Sequence, residues 1–333
     1  MKVLVIGAAG MIGRKLVARL AKDGALNGQP ISALVLHDVV EGAAPAGAAF
    51  KTRVVASDLS APGEAQKLVA ERPDVIFHLA AVVSGEAEAD FDKGYRINLD
   101  GTRSLYEAVR KAGSGTDPKA GSGAGSYRPR LVFTSSIAVF GAPFPEAIGD
   151  EFLNAPLTSY GTQKAIGELL LSDYSRRGFF DGIGIRLPTI CVRPGKPNKA
   201  ASGFFSGILR EPLAGQEAVL PVPDTVRHWF ASPRAAVEFL IHASKINTEL
   251  LGARRNLSMP GIAATIAEEI EALRRVAGEK AVRLIRRAPD PTIMRIVDGW
   301  PRNFDAQRAL SLGFRPDPGF DDIIRFHIED ERP

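Results

Sequence analysis

The stretch Val3-Leu4-Val5-Ile6-Gly7-Ala8-Ala9-Gly10-Met11-Ile12-Gly13 constrains this chain more than any other. A short apolar run bounded by glycine reads as a parallel strand buried on both faces. After Gly13, Leu16, Val17 and Leu20 recur at helical spacing among Arg14, Lys15 and Arg19. Gly7, Gly10 and Gly13 therefore fall on a strand-to-helix turn, with Met11 and Ile12 inside it. Such a turn brings backbone close to a pyrophosphate, and the helix N-terminus offers free N–H groups and partial positive charge. A purely structural glycine turn is the plain alternative.

A second apolar run, Ala33-Leu34-Val35-Leu36-His37, ends at Asp38. A carboxylate at the end of a second strand can accept hydrogen bonds from both adenosine ribose hydroxyls and would repel a 2′-phosphate. The expected cofactor is therefore NAD rather than NADP. Further strands are expected at Arg53–Ala56, followed by Asp58 and Leu59, and at Val75–Ala81. The small end of the latter, Leu79-Ala80-Ala81, suits close passage of the cofactor. His37 and His78 read as packing residues. Two more strands are expected at Leu131–Thr134, leading into Ser135-Ser136, and at Gly182–Leu187.

Alternation of strand and helix patterns through about residue 190 argues an α/β fold with a doubly wound parallel sheet of the Rossmann type. Beyond Pro188 the texture changes. Residues 188–225 hold six of the 23 prolines and read as an irregular cap. Helical patterns return over 233–244, over Ile266–Val276 and over 304–314. The expected organisation is an NAD-binding domain from 1–187 and 226–256, and a smaller, discontinuous C-terminal substrate lobe from 188–225 and 257–333. The Gly/Ser/Ala-rich stretch 111–126 reads as a surface loop.

The chemistry lies in Ser136 and in Tyr160-Gly161-Thr162-Gln163-Lys164. A four-residue step puts Tyr160 and Lys164 on one helix face. An ammonium there can lower the pKa of a phenol, which then exchanges a proton with a substrate hydroxyl. Ser136 would hold the reacting oxygen. Ser135 is the competing serine, because the two point to opposite sides if the strand continues through them.

Other functions find little support. The net charge is only +4, from 42 basic and 38 acidic side chains, with no basic stripe interleaved with aromatics. Nucleic acid is therefore not an expected partner. No apolar stretch approaches a membrane span, and the N-terminus lacks the basic region of a signal peptide. The single cysteine, Cys191, excludes a disulfide within the chain and reads as a packing residue. A soluble cytoplasmic protein that needs no metal is expected.

Taken together, these residues resemble the extended short-chain dehydrogenase/reductase family, which includes NAD-dependent epimerases and dehydratases. The marks are Gly7-x-x-Gly10-x-x-Gly13, Asp38, Asp58-Leu59, His78-Leu79-Ala80-Ala81, Asn98-x-x-Gly101-Thr102, Ser135-Ser136-x-Ala138-Val139-Phe140-Gly141 and Tyr160-x-x-x-Lys164. Phe140 stands where the family usually has tyrosine. The resemblance implies catalysis by Ser136, Tyr160 and Lys164, with Asn98 supporting the site, and substrate contact by Ser136 and Tyr160. It also implies that Asp58 and Leu59 flank the adenine, that Lys164 binds the nicotinamide ribose, and that Thr189 and Ile190 meet the carboxamide through their backbone. A homodimer through helices near 98–110 and 159–177 is expected on the same ground.

Within the family, residues 186–205 are similar to the D-erythronate dehydrogenases, which oxidise a four-carbon sugar acid at C2 with NAD. Nucleotide-sugar enzymes often carry Arg-Asp-Phe or Arg-Asp-Tyr where this chain has Arg227-His228-Trp229. A small acid needs a cation, and Arg227 is the first candidate, with Arg193 and Lys196 in reserve. Two rival readings remain. A nucleoside-diphosphate-sugar epimerase (or dehydratase) would use the same Ser, Tyr and Lys. A non-catalytic cofactor sensor often lacks the tyrosine, which is present here.

Overall fold

The computed structural model describes residues 1–113, 127–195 and 202–331. Its centre is a seven-stranded, wholly parallel sheet: β1 Lys2–Ile6, β2 Ala33–Asp38, β3 Lys51–Ala56, β4 Val75–His78, β5 Arg130–Ser136, β6 Asp181–Leu187 and β7 Asn256–Ser258, in spatial order β7-β6-β5-β4-β1-β2-β3. The expected doubly wound sheet is present. β1, β4, β5 and β6 are buried nearly end to end, because helices cover both faces.

Three helices matter for the site. α1, Met11–Asp23, buries Leu16, Val17 and Leu20 and stops at Gly24, whose φ of 63° closes the last turn onto the Leu20 carbonyl. α2, Ser159–Arg176, starts at Thr158, whose hydroxyl accepts the Gly161 amide at 3.0 Å. α3, Pro233–Lys245, starts at Ser232 with proline in its first turn. α1 and α3 pack on one face of the sheet around Val5, Leu36 and Ile185. The other face is closed by Leu105, Tyr106, Val109 and Leu171.

Three elements depart from the sequence expectation. β7 comes from Asn256-Leu257-Ser258 and pairs with β6 (Leu257 against Ile185), so the boundary expected after residue 256 falls within a strand. Three residues carry too little periodicity to announce themselves. The proline-rich cap is not wholly irregular: Gly203–Leu213 is a helix whose Phe205, Ile208 and Leu209 join a second apolar core with Phe230, Ile270 and Leu273. A three-stranded sheet of Ile262–Thr265, Arg227–Ala231 and Thr189–Ile190 links that lobe to the end of β6. Finally, β4 stops at His78 rather than Ala81. The Leu79 and Ala80 amides both donate to the Ile6 carbonyl, at 2.8 and 3.1 Å, which turns the chain out of the ladder.

Candidate active site

β1 and β4 are neighbours, and their outgoing loops touch where the strand order reverses. In open α/β sheets ligands lie at that switch point. Gly7 has φ +89°, and a Cβ on it would meet the Ala80 nitrogen at 2.6 Å, so only glycine lets the two loops come so close. No side chain caps α1, and its first turn holds no acidic residue. The first-turn amides opened by Met11, Ile12 and Gly13 are thus available to an anion. Asp38 ends β2 with its carboxylate aimed back at this turn: Oδ2 accepts the Ala9 amide at 2.9 Å and Oδ1 the Val39 amide at 2.8 Å. This uncapped turn, the close loops and the carboxylate beside them fit NAD.

A cavity of about 460 Å³ opens next to the turn. Met11, Ile12, Leu79 and Ala81 line its floor, Ser136, Tyr160 and Lys164 one wall, and Thr189, Ile190, Arg193, Ser202, His228 and Trp300 the cap side. The expected triad is brought together. β5 continues through Ser136, so the two serines diverge. Ser135 is buried and its hydroxyl donates to Glu168 at 2.6 Å. Ser136 lines the cavity, accepts the Ala138 amide at 3.1 Å and lies near enough to the Tyr160 phenol to lower its pKa. Gly161 lets α2 pack this tightly, since a Cβ there would lie 2.1 Å from the Ala138 carbonyl oxygen.

Lys164 is turned into the sheet. Its Nζ donates to the Thr134 carbonyl at 2.8 Å and lies 5.8 Å from the Tyr160 ring centroid. Burial lowers its pKa to about 8, against the raising effect of Glu168. The tyrosine departs from expectation. Burial raises the phenol pKa, and what opposes burial is the Ser136 side chain and then the Arg193 charge, not Lys164. An ammonium held on a backbone carbonyl is too far from the phenol oxygen to dominate it.

Behind the triad lies a buried network that sequence reasoning missed. Glu168 is one further turn along α2 from Lys164. It accepts from Arg186 Nε at 2.8 Å and from Arg186 Nη2 at 2.7 Å, and also from Asn154 Nδ2 at 3.0 Å. The step from Lys164 to Glu168 was visible, but its partner Arg186 comes from another strand. The Arg186 guanidinium also lies 4.8 Å from the Phe140 ring centroid. Phe140 packs among Phe152 and Phe304.

Asn98 does not line the cavity, so the support expected of it is indirect. Its Oδ1 accepts the Val82 amide at 2.8 Å, and its Nδ2 donates to the Val82 carbonyl at 3.2 Å and to Gln163 at 2.7 Å. With its amide so engaged, Asn98 ties the cavity-lining segment after β4 to α2. It sits in a π-helical stretch, Tyr95–Asp100, of the kind that often marks functional sites. Asp58 is bound by Ser60 and Arg96, and Leu59 packs in the core.

Arg227 is a correction. It is exposed, faces Glu268 at 3.5 Å, donates to the Ala263 carbonyl at 3.3 Å and is not part of the cavity wall. Neighbouring strand residues leave opposite faces: His228 lines the cavity, while Arg227, the first residue of Arg227–Ala231, is exposed. His228 shares a 2.7 Å hydrogen bond with Thr189 and stacks on Phe205, with ring centroids 4.9 Å apart. Lys196 lies outside the described residues. Trp300, between Gly299 and Pro301, lines the cavity without having been anticipated; one of only two tryptophans, set between two turn formers, was the available signal.

Two proteins named D-erythronate dehydrogenase are similar over nearly their whole length. The one from Cupriavidus necator is 48% identical over 99% of this chain and 98% of its own. The one from Haemophilus influenzae is 42% identical over 99% of both. A crystal structure from Agrobacterium tumefaciens, named a nucleoside-diphosphate-sugar epimerase, is 66% identical, superimposes with a TM-score of 0.95, and covers 99% of this chain and 94% of that one. The L-threonine 3-dehydrogenase of Trypanosoma brucei, at 24% identity and a TM-score of 0.82, covers 98% of this chain and 95% of its own and shares the fold. The family model of the NAD dependent epimerase/dehydratase family matches residues 3–232. The glycine turn, the Ser136–Tyr160–Lys164 wall and that match agree: the chain belongs to the NAD dependent epimerase/dehydratase family.

Proposed function

We propose that this protein is an NAD-dependent dehydrogenase that oxidises D-erythronate to 2-dehydro-D-erythronate. The observation that carries the reading is a single cavity. It gathers Ser136, Tyr160 and Lys164 on one wall, and among the described residues neither aspartate nor glutamate lines it. A cavity with two cations and no carboxylate suits an acid substrate. The two D-erythronate dehydrogenases, similar end to end, support the same choice.

Tyr160 takes the proton of the reacting hydroxyl, and Ser136 holds that oxygen against the phenol. Bound NAD supplies the hydride acceptor and, while oxidised, a positive charge. Lys164, anchored on Thr134, would donate to the nicotinamide ribose. Asp38 takes the adenosine ribose, and Met11, Ile12 and Gly13 the pyrophosphate. Leu79, Ala80, Ala81, Thr189 and Ile190 border the remainder, and Asp58 and Leu59 the adenine. General-base assistance of this type contributes about 10²–10⁴ in rate; the remainder comes from holding the C–H against the ring. Residues 1–187 and 226–256 serve the cofactor, and 188–225 and 257–333 the substrate. No helix among the described residues is long and apolar enough to cross a membrane. A cytoplasmic homodimer completes the reading, with Leu169 exposed on α2 as a contact.

The second reading is a sugar-nucleotide epimerase, which the name of the Agrobacterium structure favours. NADH absorbance decides between them, measured across four- to six-carbon aldonates and uronates with UDP- and dTDP-sugars alongside. NADH released on D-erythronate supports the dehydrogenase. Conversion of nucleotide sugars alone, without net NADH, overturns it.

A further inference from the structure

Most shielded arginines of this protein have a carboxylate. Arg130 and Arg255 pair with Asp181, Arg186 with Glu168, and Arg210 with Glu211. Arg193 does not. It follows β6 and is half-buried on the cavity wall, and among the described residues no aspartate or glutamate pairs with it. Its attachments are neutral. Nε donates to the Ile190 carbonyl at 3.1 Å and Nη2 to the Ser202 hydroxyl at 3.1 Å. Its own amide donates to Ser206 at 3.0 Å, and its carbonyl accepts from Arg210 at 2.7 Å. Backbone and side chain are thus fixed from two sides while the charge is left without a counterion. Shielding an unpaired charge is costly unless a ligand supplies the partner.

Among the described residues, Lys164 is the only other cation on the cavity wall. Lys164 is turned to Thr134. His228 is neutral, since burial brings its pKa down to about 3. Arg193 is also close enough to Tyr160 for its charge to favour the phenolate. An anionic group on Arg193 and a hydroxyl on Tyr160 are therefore near neighbours, as in an acid whose hydroxyl sits on the carbon beside the carboxylate.

We propose that Arg193, oriented by Ser202 and Ile190, is the carboxylate anchor of the active site and directs oxidation to the carbon adjacent to that carboxylate. The assignment deepens the sugar-acid reading and rests on it. It extends the site to 2-hydroxy acids as a class. Planar, bidentate recognition makes arginine suited to this task and lysine a poor replacement.

The test separates binding from turnover by using oxalate as the probe on the enzyme–NADH complex. Calorimetry is run on wild type, Arg193→Met, Arg193→Lys and Arg227→Ala, with NADH affinity measured by fluorescence in each. Wild type and Arg227→Ala should bind oxalate within about twofold of each other. Arg193→Met should weaken it roughly 10²-fold and Arg193→Lys roughly 10-fold, with NADH binding unchanged. Turnover of D-erythronate should follow the same order, with millimolar guanidinium restoring part of the Arg193→Met loss. Oxalate bound equally by wild type and both Arg193 variants overturns the proposal. So does an absence of oxalate binding to wild type, or loss of NADH binding in parallel with oxalate in both Arg193 variants. Failure of the functional reading looks different: oxalate would still depend on Arg193 while D-erythronate yields no NADH.

Discussion

The two walls of the cavity are built differently. On the sheet side, chemical groups come from β5 and α2, and each is held by a nearby partner: Ser136 by the Ala138 amide, Lys164 by the Thr134 carbonyl. On the cap side, Arg193, Ser202, His228 and Trp300 come from four separate stretches, and among the described residues no carboxylate pairs with Arg193. The contrast shows a division of labour. Reaction geometry is fixed by a rigid, short-range frame. In the proposed function, recognition falls to groups assembled from distant segments.

The largest expected effect tests the sheet side. Tyr160→Phe should lower kcat by about 10²–10⁴ while keeping NADH affinity, measured by fluorescence titration. A matching loss of cofactor binding would mean that this wall holds the frame rather than the proton. The next effect distinguishes the adjacent serines. Ser136→Ala should cost about 10–10² in kcat at little cost in stability. Ser135→Ala should leave kcat within a few-fold but lower stability by about 1–2 kcal/mol, because Glu168 loses a buried donor. Steady-state kinetics with denaturant melts checks both, and reversed results would exchange their roles.

The remaining effect is a gain. Burial lowers the Lys164 pKa from 10.5 to about 8, so the unfolded chain binds this proton more readily than the folded one. The burden is complete below pH 8 and is relieved as pH rises from about 8 to 10.5. Lys164→Met should therefore be about 1–3 kcal/mol more stable than wild type at pH 7, with the gap narrowing above pH 9, and catalytically impaired. Thermal melts from pH 6 to 10 would show it. A variant less stable at every pH would mean that the Thr134 hydrogen bond outweighs the burial of charge.

Much of the frame was legible because its signals are local. The glycine turn, the strand ending at Asp38 and the Tyr160–Lys164 step each lie within a few residues, where periodicity and turn chemistry act directly. The β7 strand was too short to read, and the helix Gly203–Leu213 was masked by Gly203, Gly207 and Pro212. In the site, Glu168 could be placed on the face of Lys164, but not its pairing with Arg186. Asn98 was visible as a motif residue, while its grip on Val82 and Gln163 was not.

By itself the sequence determined a parallel α/β sheet, a glycine turn between strand and helix, and a helix face shared by Tyr160 and Lys164, because strand burial, helix spacing and backbone sterics follow from neighbours along the chain. Tertiary structure alone decided which serine meets the phenol, that Arg193 rather than Arg227 lines the cavity, and that Phe140 belongs in an aromatic cluster. Each of those outcomes depends on strand register or on contacts between distant segments. A one-residue change in which face a strand buries exchanges an inward side chain for an outward one, as His228 and Arg227 do here.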